Sequence, residues 1–212
     1  MSFERTYNEL CEIYPVSRET FQHLQFYVKR LEEWQAKTNL VAPSTLDAIW
    51  TRHIADSLQC YALKPEALSW VDIGSGGGLP GMVINAMISD KEGASLAMIE
   101  SNQKKCSFLR QINRQIGGVA EIYAERIESA AKRIPTPEIV TARALASLQK
   151  LFEYSSVWLE DGAVGLFHKG RDFERELAEC DGLWSFDLVC HSSKLEEGSV
   201  ILEISNLKKL SG

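Results

Sequence analysis

The residue types and spacing in Asp72-Ile73-Gly74-Ser75-Gly76-Gly77-Gly78-Leu79-Pro80-Gly81 point more directly to chemistry than any other stretch of the chain. An apolar run, Trp70–Ile73, precedes it, and Pro80 suits a helix start, where its missing N–H would be unpaired anyway. Glycines at 74, 76 and 78 permit positive φ and let a ligand approach the backbone with no Cβ in the way. A strand, a glycine loop and a helix in that order bind nucleotide cofactors at the carboxyl edge of a parallel sheet. Two cofactor classes compete for it. Gly76, Gly78 and Gly81 satisfy G-x-G-x-x-G, which seats a dinucleotide pyrophosphate on a helix N-terminus. Asp72 followed by Gly74, Gly76 and Gly78 is the sharper reading: an acid at the strand end suits S-adenosylmethionine (SAM), with its cationic sulfonium and ammonium, and sits awkwardly beside a pyrophosphate.

Glu100 closes the next apolar run, where both cofactor classes place an acid to accept hydrogen bonds from ribose hydroxyls. A carboxylate favoured by the dipole of the following helix is the plainer account. An NAD-linked oxidoreductase would also need a proton-transfer residue, and His168 is the histidine at a suitable strand end. The segment after the fourth run, Thr141-Ala142-Arg143-Ala144-Leu145-Ala146-Ser147, holds neither Pro-Cys nor an Asn/Asp-Pro-Pro-aromatic tetrad. Cytosine-C5 chemistry would want the first and exocyclic-amine methylation the second. Guanine N7 needs neither: its in-plane lone pair is free, so alignment with the methyl donor can suffice and no catalytic residue is required.

The elements that position these residues follow from periodicity. Residues 1–64 read as a helical extension. Ser17 caps a helix whose Phe21, Leu24, Val28, Leu31 and Trp34 form one face. After Lys37-Thr38-Asn39, a second helix is expected, with Ser44 and Asp47 as a capping box and Leu46, Ile49, His53, Ile54 and Leu58 as its stripe. Residues 65–212 alternate short apolar runs (Trp70–Ile73, Leu96–Glu100, Val119–Tyr123, Ile139–Ala142, Ala163–Phe167) with helical segments, the signature of right-handed βαβ units. Ser185–His191 and Ser199–Ser205 are joined by too few residues for a crossover helix and form a hairpin. The expected fold is α/β: a Rossmann-like SAM-dependent methyltransferase, with a mostly parallel seven-stranded sheet ending in an antiparallel hairpin.

Composition narrows the partners. Net charge is −6, with 23 Lys+Arg against 29 Asp+Glu, which excludes binding of nucleic acid or membrane through bulk positive charge. Residues 101–175 are nevertheless weakly basic, and Lys104, Arg110 and Arg114 lie opposite Phe108, Leu109, Ile112 and Ile116 on one helix, which favours a phosphate-bearing substrate. The first residues lack a signal-peptide layout, and no apolar run approaches the roughly 18 residues of a membrane span. Five cysteines without C-x-x-C point to reduced thiols, a cytoplasmic location and no metal site.

Taken together, five segments resemble the RsmG (GidB) family of bacterial 16S rRNA guanine-N7 methyltransferases over nearly the whole chain. They are Asn39-Leu40-Val41; Arg52-His53-Ile54-Ala55-Asp56-Ser57-Leu58; Asp72 through Gly81; Ile99-Glu100-Ser101 with Lys104-Lys105 and Phe108-Leu109-Arg110; and Arg143-Ala144-Leu145-Ala146-Ser147-Leu148. The resemblance implies a cytoplasmic, monomeric enzyme that uses SAM to methylate N7 of one guanine in the decoding-region loop of 16S rRNA, within a small subunit or an assembly intermediate. A SAM- and RNA-binding module without turnover is the non-enzymatic alternative. By motif, the cofactor contacts implied are Gly74, Gly76, Gly78, Leu79, Glu100, Ile127, Glu128 and Arg143, and the substrate contacts Arg52, His53, Arg143 and Lys169. Read from the residues alone, Ile127-Glu128 is equally an amphipathic turn, Arg143 a salt-bridge partner and His53 a core histidine. Arg52 and Asp56 could form an i,i+4 pair, and Lys169 could sit on a solvated strand end. The family's usual Asp at the ribose position is Glu100 here, and the C-terminal end is less basic than in many relatives, with Lys208 and Lys209 as its cluster.

Overall fold

A computed structural model describes residues 3–210. Seven strands form one sheet in the order β3-β2-β1-β4-β5-β7-β6. They are β1 (Ser69–Ile73), β2 (Ser95–Ile99), β3 (Ala120–Tyr123), β4 (Ile139–Arg143), β5 (Val164–Lys169), β6 (Trp184–Ser192) and β7 (Val200–Lys209). The first five are parallel, as their spacing predicts, with Val71 opposite Ala97 on one side and Val140 on the other. β7 inserts antiparallel between β5 and β6, so the expected hairpin closes one edge.

Alternation along the strands divides the core in two. Trp70, Leu96, Met98 and Ile139 face α1 (Phe3–Cys11), α2 (Arg18–Gln35), α3 (Asp56–Leu63), α4 (Gly81–Ile88) and α5 (Gln103–Gln115). Val71, Ile73, Ile99 and Val140 face α6 (Ile127–Ala130) and α7 (Leu148–Leu159) on the other side; α8 (Phe173–Ala178) follows β5. The N-terminal helices share one core with α4 and α5. Every residue of α4 is buried, because helices cover the side that the sheet does not. Its one polar side chain, Asn85, is satisfied: Nδ2 donates to Asn113 Oδ1 at 2.9 Å and Oδ1 accepts from Val119 N at 3.0 Å.

Ser17 caps α2, its Oγ accepting from Thr20 N at 3.0 Å, and the apolar spacing buries Phe21, Leu24, Val28 and Leu31 as expected. Burying a side chain of this size contributes about 2 kcal/mol. The second helical unit differs from expectation. Pro43–Ala48 is a 3₁₀ turn with Pro43 in its first turn, Ser44 caps nothing, and Trp50–Ala55 is a turn of π-helix leading into α3. Ile49, His53, Ile54 and Leu58 are buried all the same, so the stripe holds while the helix type changes. The added residue of a π-turn is itself common at functional sites. All five cysteines are free thiols.

Candidate functional site

A cavity of about 660 Å³ opens at the carboxyl ends of β1, β2 and β4. The chain leaves β1 and β4 in different directions at this point, which is where such sheets leave a crevice. One wall is the glycine loop, Gly74–Gly77 with Leu79; a second comprises Glu100, Ile127 and Glu128; a third is Asn39–Pro43; and His53 and Arg143 complete it.

The loop is backbone held by side chains. Gly74, Gly76 and Gly78 have φ of +67°, +54° and +101°, in the region that glycine tolerates best. Glu100 shapes the loop as well as facing the cavity: Oε2 accepts from Gly76 N at 3.0 Å and Oε1 from Asn102 N at 2.7 Å. Each oxygen retains a second lone pair for a hydroxyl donor. Pro80 stands at the N-cap of α4 rather than inside it, and its carbonyl accepts from Ile84 N at 3.1 Å.

Two residues of the motif lie elsewhere than expected. Gly78 does not line the cavity; a Cβ there would come 2.7 Å from Met82 Cγ and 3.1 Å from the Tyr27 hydroxyl, so packing under the helices requires this glycine. Asp72 is also turned away. Odd-even alternation puts it under α4, where it is buried, Oδ1 accepts from Thr141 Oγ1 at 2.9 Å, and a Cβ on Gly81 would approach Oδ2 to 2.6 Å. Burial raises its carboxyl from 3.8 to about 7 against hydrogen bonds from Ser75, Thr141 and the Gly81 backbone. Asp72 therefore ties β1 to β4 beneath the loop and does not face the cavity.

The opposite wall is a charged network. Arg143, at the end of β4, donates from Nη2 to the Arg52 carbonyl at 2.6 Å, and its Nε lies 3.3 Å from Asp56 Oδ2. Its guanidinium thus satisfies a carbonyl of the π-turn while joining β4 to α3. Burial lowers its pKa, opposed by the charge of Asp56. His53 is more than nine-tenths buried, with Nε2 2.7 Å from Thr45 Oγ1. Thr45 Oγ1 also lies 2.7 Å from the Ala42 carbonyl, so the imidazole is tied through one hydroxyl to the start of the 3₁₀ turn. Burial, aided by Arg143 and Arg52, lowers its pKa to about 4, and it is neutral.

Arg52 and Lys169 are not brought to this cavity. Arg52 pairs with Glu196 at 2.6 Å on the neighbouring rim, not with Asp56. Lys169 is buried with Glu176 at 2.5 Å and donates to the Ala146 carbonyl at 2.9 Å, so it is a strut between β5 and α8 rather than a solvated strand end. His168, the residue an oxidoreductase would need, lies off the cavity and is buried 3.3 Å from the Asp56 carbonyl; burial lowers its pKa. Ile127 and Glu128 do line the cavity, at the first turn of α6. The Asn39–Pro43 wall is the part that residue-by-residue reasoning missed, although Asn39-Leu40-Val41 stood out in the sequence. Among the described residues no His, Cys, Asp and Glu cluster could hold a metal, and no helix is long and apolar enough to cross a membrane.

The sheet order, its inserted antiparallel strand and the cavity at the strand ends define a Rossmann-like methyltransferase fold. Solved structures share it: the magnesium protoporphyrin IX methyltransferase of Synechocystis PCC 6803, solved with bound SAM, aligns over 91% of this chain and 99% of its own, with a TM-score of 0.56 and 11% identity. Fibrillarin in its complex with Nop5p aligns over 72% of this chain and 81% of its own, also with a TM-score of 0.56 and 11% identity. The family model for rRNA small subunit methyltransferase G matches residues 20–200, and the chain belongs to this family. The ribosomal RNA small subunit methyltransferase G of Rhizobium etli is 47% identical over 197 residues, covering 92% of this chain and 96% of its own. The same enzyme of Brucella ovis is 46% identical over 210 residues, covering 99% of each chain.

Proposed function

We infer that this chain methylates N7 of one guanine in the decoding-region loop of 16S rRNA, using SAM. The observation that carries the reading is the cavity itself, with glycine backbone on one wall, the Glu100 carboxylate on the next, and Ile127-Glu128 beyond. Those groups fit the cofactor. Glu100 has lone pairs left for ribose hydroxyls, Ile127 offers an apolar side to adenine, and the loop lets the methionine portion approach backbone. Gly74, Gly76, Leu79, Glu100, Ile127 and Glu128 are the contacts proposed, with Arg143 and His53 on the side from which the base enters. When bound, SAM supplies an electrophilic methyl group on a cationic sulfur.

The chain's own residues have little proton chemistry to perform. Guanine N7 presents a lone pair without a proton, so no base is needed, and the neutral His53 adds no charge that would oppose the sulfonium. Arg143, fixed by Asp56 and the Arg52 carbonyl, holds the π-turn that borders the base's entrance. Lys105 and Arg126 line the same opening, with Lys104 beside Lys105 in the first turn of α5, and their charge suits RNA phosphates. The enzyme acts in the cytoplasm as a monomer, on rRNA within a small subunit or an assembly intermediate.

Isothermal titration separates this reading from its alternatives. Binding of SAM without binding of NAD is expected, and the reverse would return the glycine loop to the oxidoreductases. Labelled methyl should then pass from SAM into small-subunit rRNA; binding without transfer would leave only a SAM-dependent RNA-binding module.

A further inference from the structure

The glycine loop and the Asn39–Pro43 segment are adjoining walls of the cavity, and both are held from one helix, α2. Asn39–Val41 belongs to no helix or strand. Its conformation is set by the Gln35 side chain, whose Oε1 accepts from Leu40 N at 2.8 Å and Val41 N at 3.1 Å, while Nε2 donates to Val41 O at 2.9 Å. A carboxamide has one acceptor oxygen and a donor nitrogen, so a single side chain does here what a neighbouring strand would do. Two turns earlier on α2, the buried Tyr27 donates its hydroxyl proton to Gly77 O at 2.7 Å. The two walls also touch directly: a Cβ on Gly77 would lie 2.8 Å from Leu40 O and 3.1 Å from Leu40 Cβ.

We propose that Gln35 and Tyr27 are positioning residues through which α2 sets the cofactor affinity of the cavity, by fixing the Leu40–Val41 wall and Gly77 at a set separation. The N-terminal extension is then part of the cofactor site and not only a surface for RNA. Neither side chain lines the cavity, so each acts through the backbone it holds. This inference rests on the reading that the cavity holds SAM.

The test uses the full chain with Gln35→Leu and Tyr27→Phe, and Tyr7→Phe as a control. Tyr7 donates to Val16 O at 2.9 Å, a comparable bond in the same extension but away from the cavity. Titration calorimetry with SAM should show Kd weakened about tenfold in Gln35→Leu and about threefold in Tyr27→Phe, with Tyr7→Phe within about twofold of wild type. At saturating SAM, kcat should stay within about twofold of wild type while KM for SAM rises, which is the pattern of lost uniform binding. Thermal melting without cofactor reports any general softening, and Tyr27→Phe serves where Gln35→Leu fails to fold. Unchanged Kd in Tyr27→Phe and in folded Gln35→Leu overturns the proposal, as does a Tyr7→Phe defect equal to that of Tyr27→Phe. A wild-type chain that does not bind SAM overturns the underlying reading as well, and so is distinguishable from failure of the variants alone.

Discussion

The two sides of the cavity are built by different means. On the β1–β2 side, the wall is loop backbone shaped by a strand, four glycines within five residues and a helix start, with the Glu100 carboxylate at the next strand end. On the β4 side the cavity is bordered by Arg143, whose guanidinium reaches the Arg52 carbonyl, 91 positions away, and on the neighbouring rim Arg52 in turn meets Glu196, 144 positions away. The first kind of site is written locally. The second exists only after the chain has folded, and a charge that looks free in sequence can already be occupied.

Substitutions sharpen this contrast. Gly74→Val should have the largest effect, because it places a β-branched residue at a φ of +67° and drives its Cβ to 2.5 Å from Leu145 Cδ1. Calorimetry should show SAM binding weakened about a hundredfold. Unchanged affinity would remove the loop from the site. Arg143→Ala comes next. It removes the cation beside Asp56 and the donor to the Arg52 carbonyl, leaving Asp56 with Gln59 and His168, so urea melts should show a loss of about 3 kcal/mol together with slower methyl transfer. Arg143→Lys keeps the charge but cannot serve both partners with the same fork, so it should recover only part of either property. Full transfer by Arg143→Ala in the folded fraction would make the arginine purely structural.

How much could be read in advance follows the same division. Five parallel strands, the hairpin, the α2 face and the placement of Glu100 were legible, because each depends on period, turn residues or strand ends. Asp72 reads in sequence as an acid at the strand end that suits a cationic cofactor, yet it does not line the cavity. Its type was informative, but only the alternation Trp70–Asp72, set by which face the helices cover, shows that it lies under α4. Lys169 and Arg52, which the resemblance makes substrate contacts, are paired with Glu176 and Glu196, partners that local sequence does not reveal. The π-turn could not be seen because its apolar spacing is nearly that of an α-helix. Gln35 gave no local signal either, since its work is done on backbone five and six residues further on.

Smaller effects test the individual assignments. Glu100→Gln should weaken SAM about tenfold, by exchanging an acceptor for a donor at one carboxyl position; titration measures it. No change would return Glu100 to a purely loop-closing role. Asp72 predicts a pH profile. Its folded pKa, about 7, lies above the unfolded value near 3.8, so stability is lost as pH rises from about 4 to about 7. Denaturant melts of Asp72→Asn across that range should lack this downward slope, whereas a slope identical to wild type would contradict the burial argument. Lys169→Met should lower the melting temperature by a few degrees and leave rRNA affinity of the folded protein within about twofold, because its charge is already paired with Glu176. A salt-sensitive loss of rRNA binding would restore its place as a phosphate contact.

The most direct measurement is mass mapping of 16S rRNA after small-subunit particles lacking the modification are incubated with the purified chain and isotopically labelled SAM. One labelled N7-methylguanine in the decoding-region loop is predicted, present with wild type and reduced with Gly74→Val. Label at another atom, at a scatter of guanines, or nowhere under assembly-intermediate and mature-subunit conditions alike would contradict the account.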